Sequence, residues 1–159
     1  MSDTRMRRRG ALNDDGGAIV EFLGITVLLL IPLVYVVIAL AQVQAATFAS
    51  EGAARSAARV VVTTGVEALR DGETTTGAFT QGVGDAHAVV DLARADFGPH
   101  AVSLEVECVG ACLSPGSVVT SQVTMTVRLP GAPDFLAGVI PLDVAVSARG
   151  SSPVPGDAP

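Results

Sequence analysis

The most continuous hydrophobic pattern in the chain is FLGITVLLLIPLVYVVIALA, Phe22 to Ala41, about twenty residues without a charge. A helix rising about 1.5 Å per residue needs roughly that many to cross about 30 Å of hydrocarbon. Pro32 interrupts the run, but a membrane helix accommodates proline because neighbouring groups re-satisfy the freed carbonyl. Past Gln42 the pattern changes rather than stops. In QVQAATFASEGAARSAARVVVTTG, small or apolar residues recur at Val43, Ala46, Ala49 or Ser50, Ala53, Ala57 and Val60 or Val61. Steps of three and four mark one stripe of a helix. The spacing predicts a single helix over 17–63, a rod of roughly 68 Å at helical rise. Along it, Ala46, Ser50, Ala54 and Ala58 are small residues at fourfold spacing, which would admit a second helix from a copy or a partner.

The remainder reads as a small α+β domain. DAHAVVDLARADF, Asp85 to Phe97, puts Ala88, Val89, Leu92 and Ala93 on one helical face and Asp91, Arg94 and Asp96 toward water, with Gly98 and Pro99 as a stop. Three alternating runs follow, Ala101 to Cys108, Val118 to Leu129 and Leu142 to Arg149. Val102, Leu104 and Val106 share one face of the first, and Val119, Val123, Met125 and Val127 one face of the second. Turn-rich segments, VGACLSPGS and PGAPDFLAG, join them. The economical arrangement is a three-stranded antiparallel sheet against the helix. The closing SSPVPGDAP, Pro-rich and polar, is expected to be disordered. The expected layout is therefore a leader over 1–16, the long helix over 17–63, the small domain over 64–150 and a tail over 151–159.

Composition narrows the functional classes. Aromatics are only 4% of a chain that is 49% hydrophobic, so the apolar excess lies in Ala, Val and Leu and does not suggest a large aromatic-lined pocket. The net charge of −6 argues against a nucleic-acid partner, which requires a clustered basic face. The one basic cluster is Arg5, Arg7, Arg8 and Arg9, ahead of the apolar run. The far flank opens with Gln42, Gln44 and Glu51, so the asymmetry of arginines predicts a cytoplasmic N-terminus and an extracytoplasmic domain. A secretory signal peptide cut near Ala39 or Ala41 is the bland alternative. Against it, the run is long for such a signal, and the helical pattern continues straight past those alanines.

The junction RMRRRGALNDDGGAIVEF places two glycines and a carboxylate, Glu21, directly before the span. A charge at a membrane edge costs free energy, less at the interface than at the bilayer centre. Taken alone, Gly16 and Gly17 read as a turn, and Glu21 as an acid favoured at a helix N-terminus by the macrodipole. Together with the basic leader, Phe22 and the long span, this junction resembles type IV prepilins, and among them the tight-adherence (Flp) branch. There the processing site is a glycine followed by four residues, a glutamate and an aromatic. Cutting between Gly16 and Gly17 puts Glu21 fifth and Phe22 sixth in the mature chain; cutting after Gly17 would put Glu21 fourth. The EGAAR-bearing, Ala-rich continuation narrows the resemblance to the TadE-like family, over residues 10 to 62. The resemblance implies a minor pilin or pilus assembly protein, cut by a membrane prepilin peptidase. Its partners would be other pilus or assembly-platform subunits, and Glu21 and Phe22 would act in assembly. An inter-subunit cation meeting Glu21 would avoid leaving a buried charge unpaired.

No enzyme motif stands out. The chain lacks G-x-x-x-x-G-K-[ST], H-E-x-x-H and G-x-S-x-G, and TQGVGD has no strand ahead of it for a dinucleotide site. No cofactor or small-molecule substrate is expected. Glu105 and Glu107 fall on one strand face, where a solvated sheet surface outweighs a glycosidase pair. Cys108 and Cys112, the only cysteines, read as a disulfide clipping a loop, with effects that are local because so short a closure removes little chain entropy. Free thiols and a metal site with His87 or His100 are the alternatives, the latter lacking a second close ligand pair. Against the pilin-like reading stands an unprocessed, membrane-anchored module that binds a ligand at the cell surface.

Overall fold

Helix α1, Asp15–Arg70, occupies 56 residues and passes through Pro32 unbroken. The computed structural model describes residues 15–97, 101–128 and 143–159. The leader arginines, His100 and the loop PGAPDFLAG therefore lie outside the described residues. Contacts divide the chain into two units, Met1–Ile38 and Ala39–Pro159, with α1 contributing to both.

In the first unit every described side chain from Gly17 to Ile38 is exposed. Thr26 donates its hydroxyl to the carbonyl of Phe22 at 2.8 Å, so this polar group in the apolar run is satisfied within its own helix. By length and composition the helix is apolar enough to cross a membrane.

The second unit is built on the rest of α1, a second helix α2 (Thr75–Phe97), and strands β1 (Ala101–Val109), β2 (Val118–Arg128) and β3 (Asp143–Pro153). The strands form one antiparallel sheet in the order β1-β2-β3. Its inner face carries Val119, Ser121, Val123, Met125 and Val127 of β2, all buried, flanked by the partly buried Val102, Leu104 and Val106 of β1. Its outer face is polar: Glu105, Gln122 and Arg149 sit in one cross-strand row, and Arg149 Nε donates to Gln122 Oε1 at 2.7 Å. An alternating strand buried on one side produces this split.

Several boundaries differ from those the pattern predicts, for physical reasons. Helix α1 continues past 63 to Arg70, where Gly72 in the left-handed region (φ +91°) lets two capping bonds form, Gly72 N to Leu69 O at 3.1 Å and Glu73 N to Ala68 O at 3.0 Å. Thr74 then caps α2, accepting from Gly77 N at 3.1 Å. So α2 begins at Thr75, ten residues before the amphipathic segment that periodicity picks out. Its buried stripe is Ala78, Gly82, Ala86 and Val90, whereas Ala88 and Leu92, expected on the packed face, are exposed. Glycine is unfavourable inside a helix, by about 1 kcal/mol relative to Ala, which hides such a stripe from a propensity reading. Its use is close approach, since a Cβ at Gly82 would lie 2.7 Å from the carbonyl oxygen of Val61 on α1.

The tail is not disordered. Ser151–Pro153 extend β3 beside Val118–Thr120, Val154 donates to Ser117 O at 2.9 Å, and the Val154 and Ala158 side chains are buried in the core. Polar composition masked two small apolar anchors. The stripe Ala46, Ser50, Ala54 and Ala58, expected to admit another subunit, is buried within this chain's own second unit. Ser121 Oγ donates to Ala54 O at 2.6 Å, and a Cβ at Gly150 would come within 2.5 Å of the Ala54 backbone. The sheet rests directly on the helix there.

Candidate functional site

The residues singled out at the N-terminus occupy the first two turns of α1. Gly16 and Gly17 are helical in backbone, in the first turn after Asp15. A first helical turn lacks partners for its leading N–H groups, and two glycines weaken it by about 1 kcal/mol each relative to Ala. A side chain at Gly17 would meet nothing within 4 Å, so among the described residues no packing demands glycine there. One turn on, Glu21 and Phe22 are exposed, Phe22 at 69%. Neither ion pair formed among the described residues involves Glu21.

The surroundings of Glu21 are apolar. Ile19, Val20, Phe22, Leu23 and Ile25 flank it, all exposed, and large exposed aliphatics continue to Leu40. Soluble monomers rarely expose contiguous apolar surface on this scale, and such patches mark lipid-facing or protein-facing surfaces. Among these side chains a single carboxylate is the only acid from Gly17 to Ser50.

The second unit holds the other candidates. Cys108, near the end of β1, is bonded to Cys112 in the following loop, with Cα atoms 5.4 Å apart. The next residue, Leu113, has φ +58° and is fully buried against Gly65 of α1. No pattern in VGACLSPGS distinguished this leucine, because a lone apolar residue in a turn carries no periodicity. Glu105 and Glu107 are exposed on the outer sheet face and line an open recess with Thr120, Gln122 and Arg149. His87 is exposed on α2, and among the described residues no group of three or more His, Cys, Asp or Glu is placed to hold a metal. An open apolar groove between α1 and α2 is lined by Ala45, Phe48, Ala49, Gly52, Val89 and Leu92.

These features separate into two kinds. The disulfide loop, Leu113 and the small-residue contacts are consumed by packing within the second unit. Gly17, Glu21 and Phe22 have no such packing role among the described residues. No family model, curated protein or solved structure matches the chain.

Proposed function

We propose that this chain is a pilin-like membrane protein, a TadE-like minor pilin or assembly protein of a tight-adherence pilus system. It is inserted as a precursor and trimmed next to Gly16 by a prepilin peptidase. The observation that supports this reading best is the pairing of an uncovered apolar helix with a lone carboxylate four residues beyond Gly17, a glycine that no contact among the described residues requires. In this reading α1 anchors the chain with its N-terminus cytoplasmic, and the second unit lies outside the membrane. The two glycines favour cleavage because a protease binds extended substrate, and the weak first turn opens at low cost. Glu21 lies just inside the lipid boundary and is neutralised by a cationic group of an associating subunit, an arrangement that avoids the penalty of an unpaired intramembrane charge. The protein is a substrate and a structural partner, with no reaction of its own.

N-terminal sequencing of the membrane-extracted protein, from hosts with and without a working prepilin peptidase, tests this. A mature chain starting at Gly17 only when the peptidase is present is the expected result. An intact Met1 in both hosts favours the unprocessed surface-binding module, and a start after Ala41 favours simple secretion. Glu21→Ala is expected to leave cleavage largely intact and to reduce crosslinking to pilus-system partners. Undiminished crosslinking would remove the assigned role of Glu21.

A further inference from the structure

The loop between β1 and β2 does more than turn the chain. Leu113 is the largest fully buried side chain among the described residues, yet it sits in a loop and in the left-handed backbone region at φ +58°. Leucine rarely occupies that region, and it persists there only when the surroundings impose it. Two sets of contacts do so. On the N-terminal side the Cys108–Cys112 bond closes a ring that ends immediately before Leu113. On the other side the turn is fixed by Ser117 N to Ser114 O at 2.9 Å and joined to the tail by Val154 N to Ser117 O at 2.9 Å.

What Leu113 fills is a notch in α1. A Cβ at Gly65 would meet the Leu113 Cδ atoms at 2.7 and 2.9 Å, so glycine is what leaves room for the leucine. Val62, Val66, Val154 and Ala158 belong to the same core cluster, and Arg70 approaches Asp157 at 3.9 Å on the exposed rim. One disulfide ring, one leucine and one tail thus close the end of the domain where α1 stops. Both cysteines are half-buried, and Cys108 packs against the core cluster.

We propose that the Cys108–Cys112 disulfide is a redox-operated clasp. Bonded, it presents Leu113 to the Gly65 notch and so seats the C-terminal tail against the end of α1; reduced, it releases loop, leucine and tail together while the sheet stays folded. The opening step is thiol–disulfide exchange with a dithiol. One thiolate attacks a cysteine sulfur, the S–S bond breaks, and a mixed disulfide forms; the second thiol then displaces the remaining cysteine. Two electrons and two protons pass from the dithiol, which becomes its cyclic disulfide, to the two cysteine thiols. The effect is local because the ring closes over so few residues that its loss changes the entropy of the unfolded chain little. The clasp does not depend on pilus function. Its residence in an oxidising compartment rests on the topology proposed above.

Hydrogen exchange on the full-length protein in detergent, before and after dithiothreitol, with free thiols counted in parallel, tests the clasp. The oxidised protein is expected to show no free thiol. On reduction, exchange in 110–117, 154–158 and the end of α1 at 64–70 should quicken by about tenfold or more, with Val123–Arg128 of β2 unchanged. Leu113→Ala, with its disulfide intact, should quicken the same segments, and dithiothreitol should do nothing further to a Cys108→Ser/Cys112→Ser protein. Two free thiols in the untreated protein, unaltered exchange on reduction, or loss of protection throughout the sheet would each overturn the proposal.

Discussion

Helix α1 contains two regions of opposite character along one continuous run of helix. From Gly17 to Ile38 its side chains are large, branched and exposed; from Ala46 to Ala68 they are mostly small, and one face is buried. Side-chain size, more than hydrophobicity, separates them. A surface of Leu, Ile and Val presents wide apolar area with nothing in the chain to cover it, which suits lipid. A surface of Ala, Ser and Gly lets backbones come into contact, as where Gly150 meets Ala54 and Gly82 meets Val61, and it builds a core from few large residues. An apolar stretch is therefore an anchor or a core according to whether its side chains allow close approach.

The comparison is broken most severely by adding bulk where the backbones touch. Gly150→Val would drive side-chain atoms into the Ala54 backbone, which has no flexible end to move aside. We expect a loss of more than about 3 kcal/mol, a large share of the stability of a domain of this size, measured by thermal or urea unfolding in detergent. The matching control is Gly52→Ala in the same helix. Nothing lies within 4 Å of that position, and the gain in helix propensity should raise stability by up to about 1 kcal/mol.

Next in size is a test of what exposure means in each region. Leu29 and Phe48 are similarly exposed, at 65% and 72%. If the proposed span lies in lipid, Leu29→Arg carries a charge to the bilayer centre and should cost about 3 kcal/mol of insertion, read as loss of membrane-integrated protein. Phe48→Arg, on a residue facing the open groove, should change unfolding stability by no more than about 0.5 kcal/mol. Equal effects from the two substitutions would erase the distinction between the halves.

How far the sequence reveals this depends on which signals are periodic. The stripe through Ala46, Ala53 and Ala57 and the inward set Val119, Val123, Met125 and Val127 repeat at a structural period and fall on the faces that the pattern predicts, and the apolar run is legible by length alone as a helix. The start of α2 was hidden because Gly77, Gly82 and Gly84 read as loop, although Asp71–Thr74 holds both a glycine stop and a threonine cap. Leu113, Gly65 and Gly150 were hidden for a different reason: each is defined by one distant partner, and no local pattern encodes a contact between residues so far apart in the chain. The N-terminal site is the reverse case. Gly16, Gly17, Glu21 and Phe22 are legible as a motif, and among the described residues Gly17 meets no packing neighbour and Glu21 forms no ion pair.

A smaller effect sharpens the account of close packing. Ser121 is 2% exposed, and its hydroxyl reaches the Ala54 carbonyl, an oxygen already within the helix. Ser121→Ala removes one hydrogen bond and little volume, so a loss of about 1 kcal/mol is expected by urea unfolding. Ser121→Val, which adds bulk at the same contact, should cost more, by about 1–3 kcal/mol, if backbone approach rather than the hydrogen bond holds the sheet on the helix. The reverse order would reassign the contact to hydrogen bonding.

The smallest expected effect concerns Glu21 and Glu51, one acid from each region of α1. Glu51 pairs with Arg55 one turn on, Oε2 to Nη2 at 2.6 Å, with the side chains 44% and 66% exposed. Water screens such a pair, and ordering two long side chains offsets much of the attraction, so Glu51→Gln should cost about 0.5 kcal/mol or less and the loss should shrink in high salt. Glu21 lies in the other region with no partner among the described residues, and Glu21→Gln should leave the unfolding of the domain unmoved. Glu51 has its partner one turn away on the same helix, whereas the partner proposed above for Glu21 belongs to another molecule. A domain stability sensitive to Glu21 would place that partner inside the chain and remove the reason for assigning the residue to assembly.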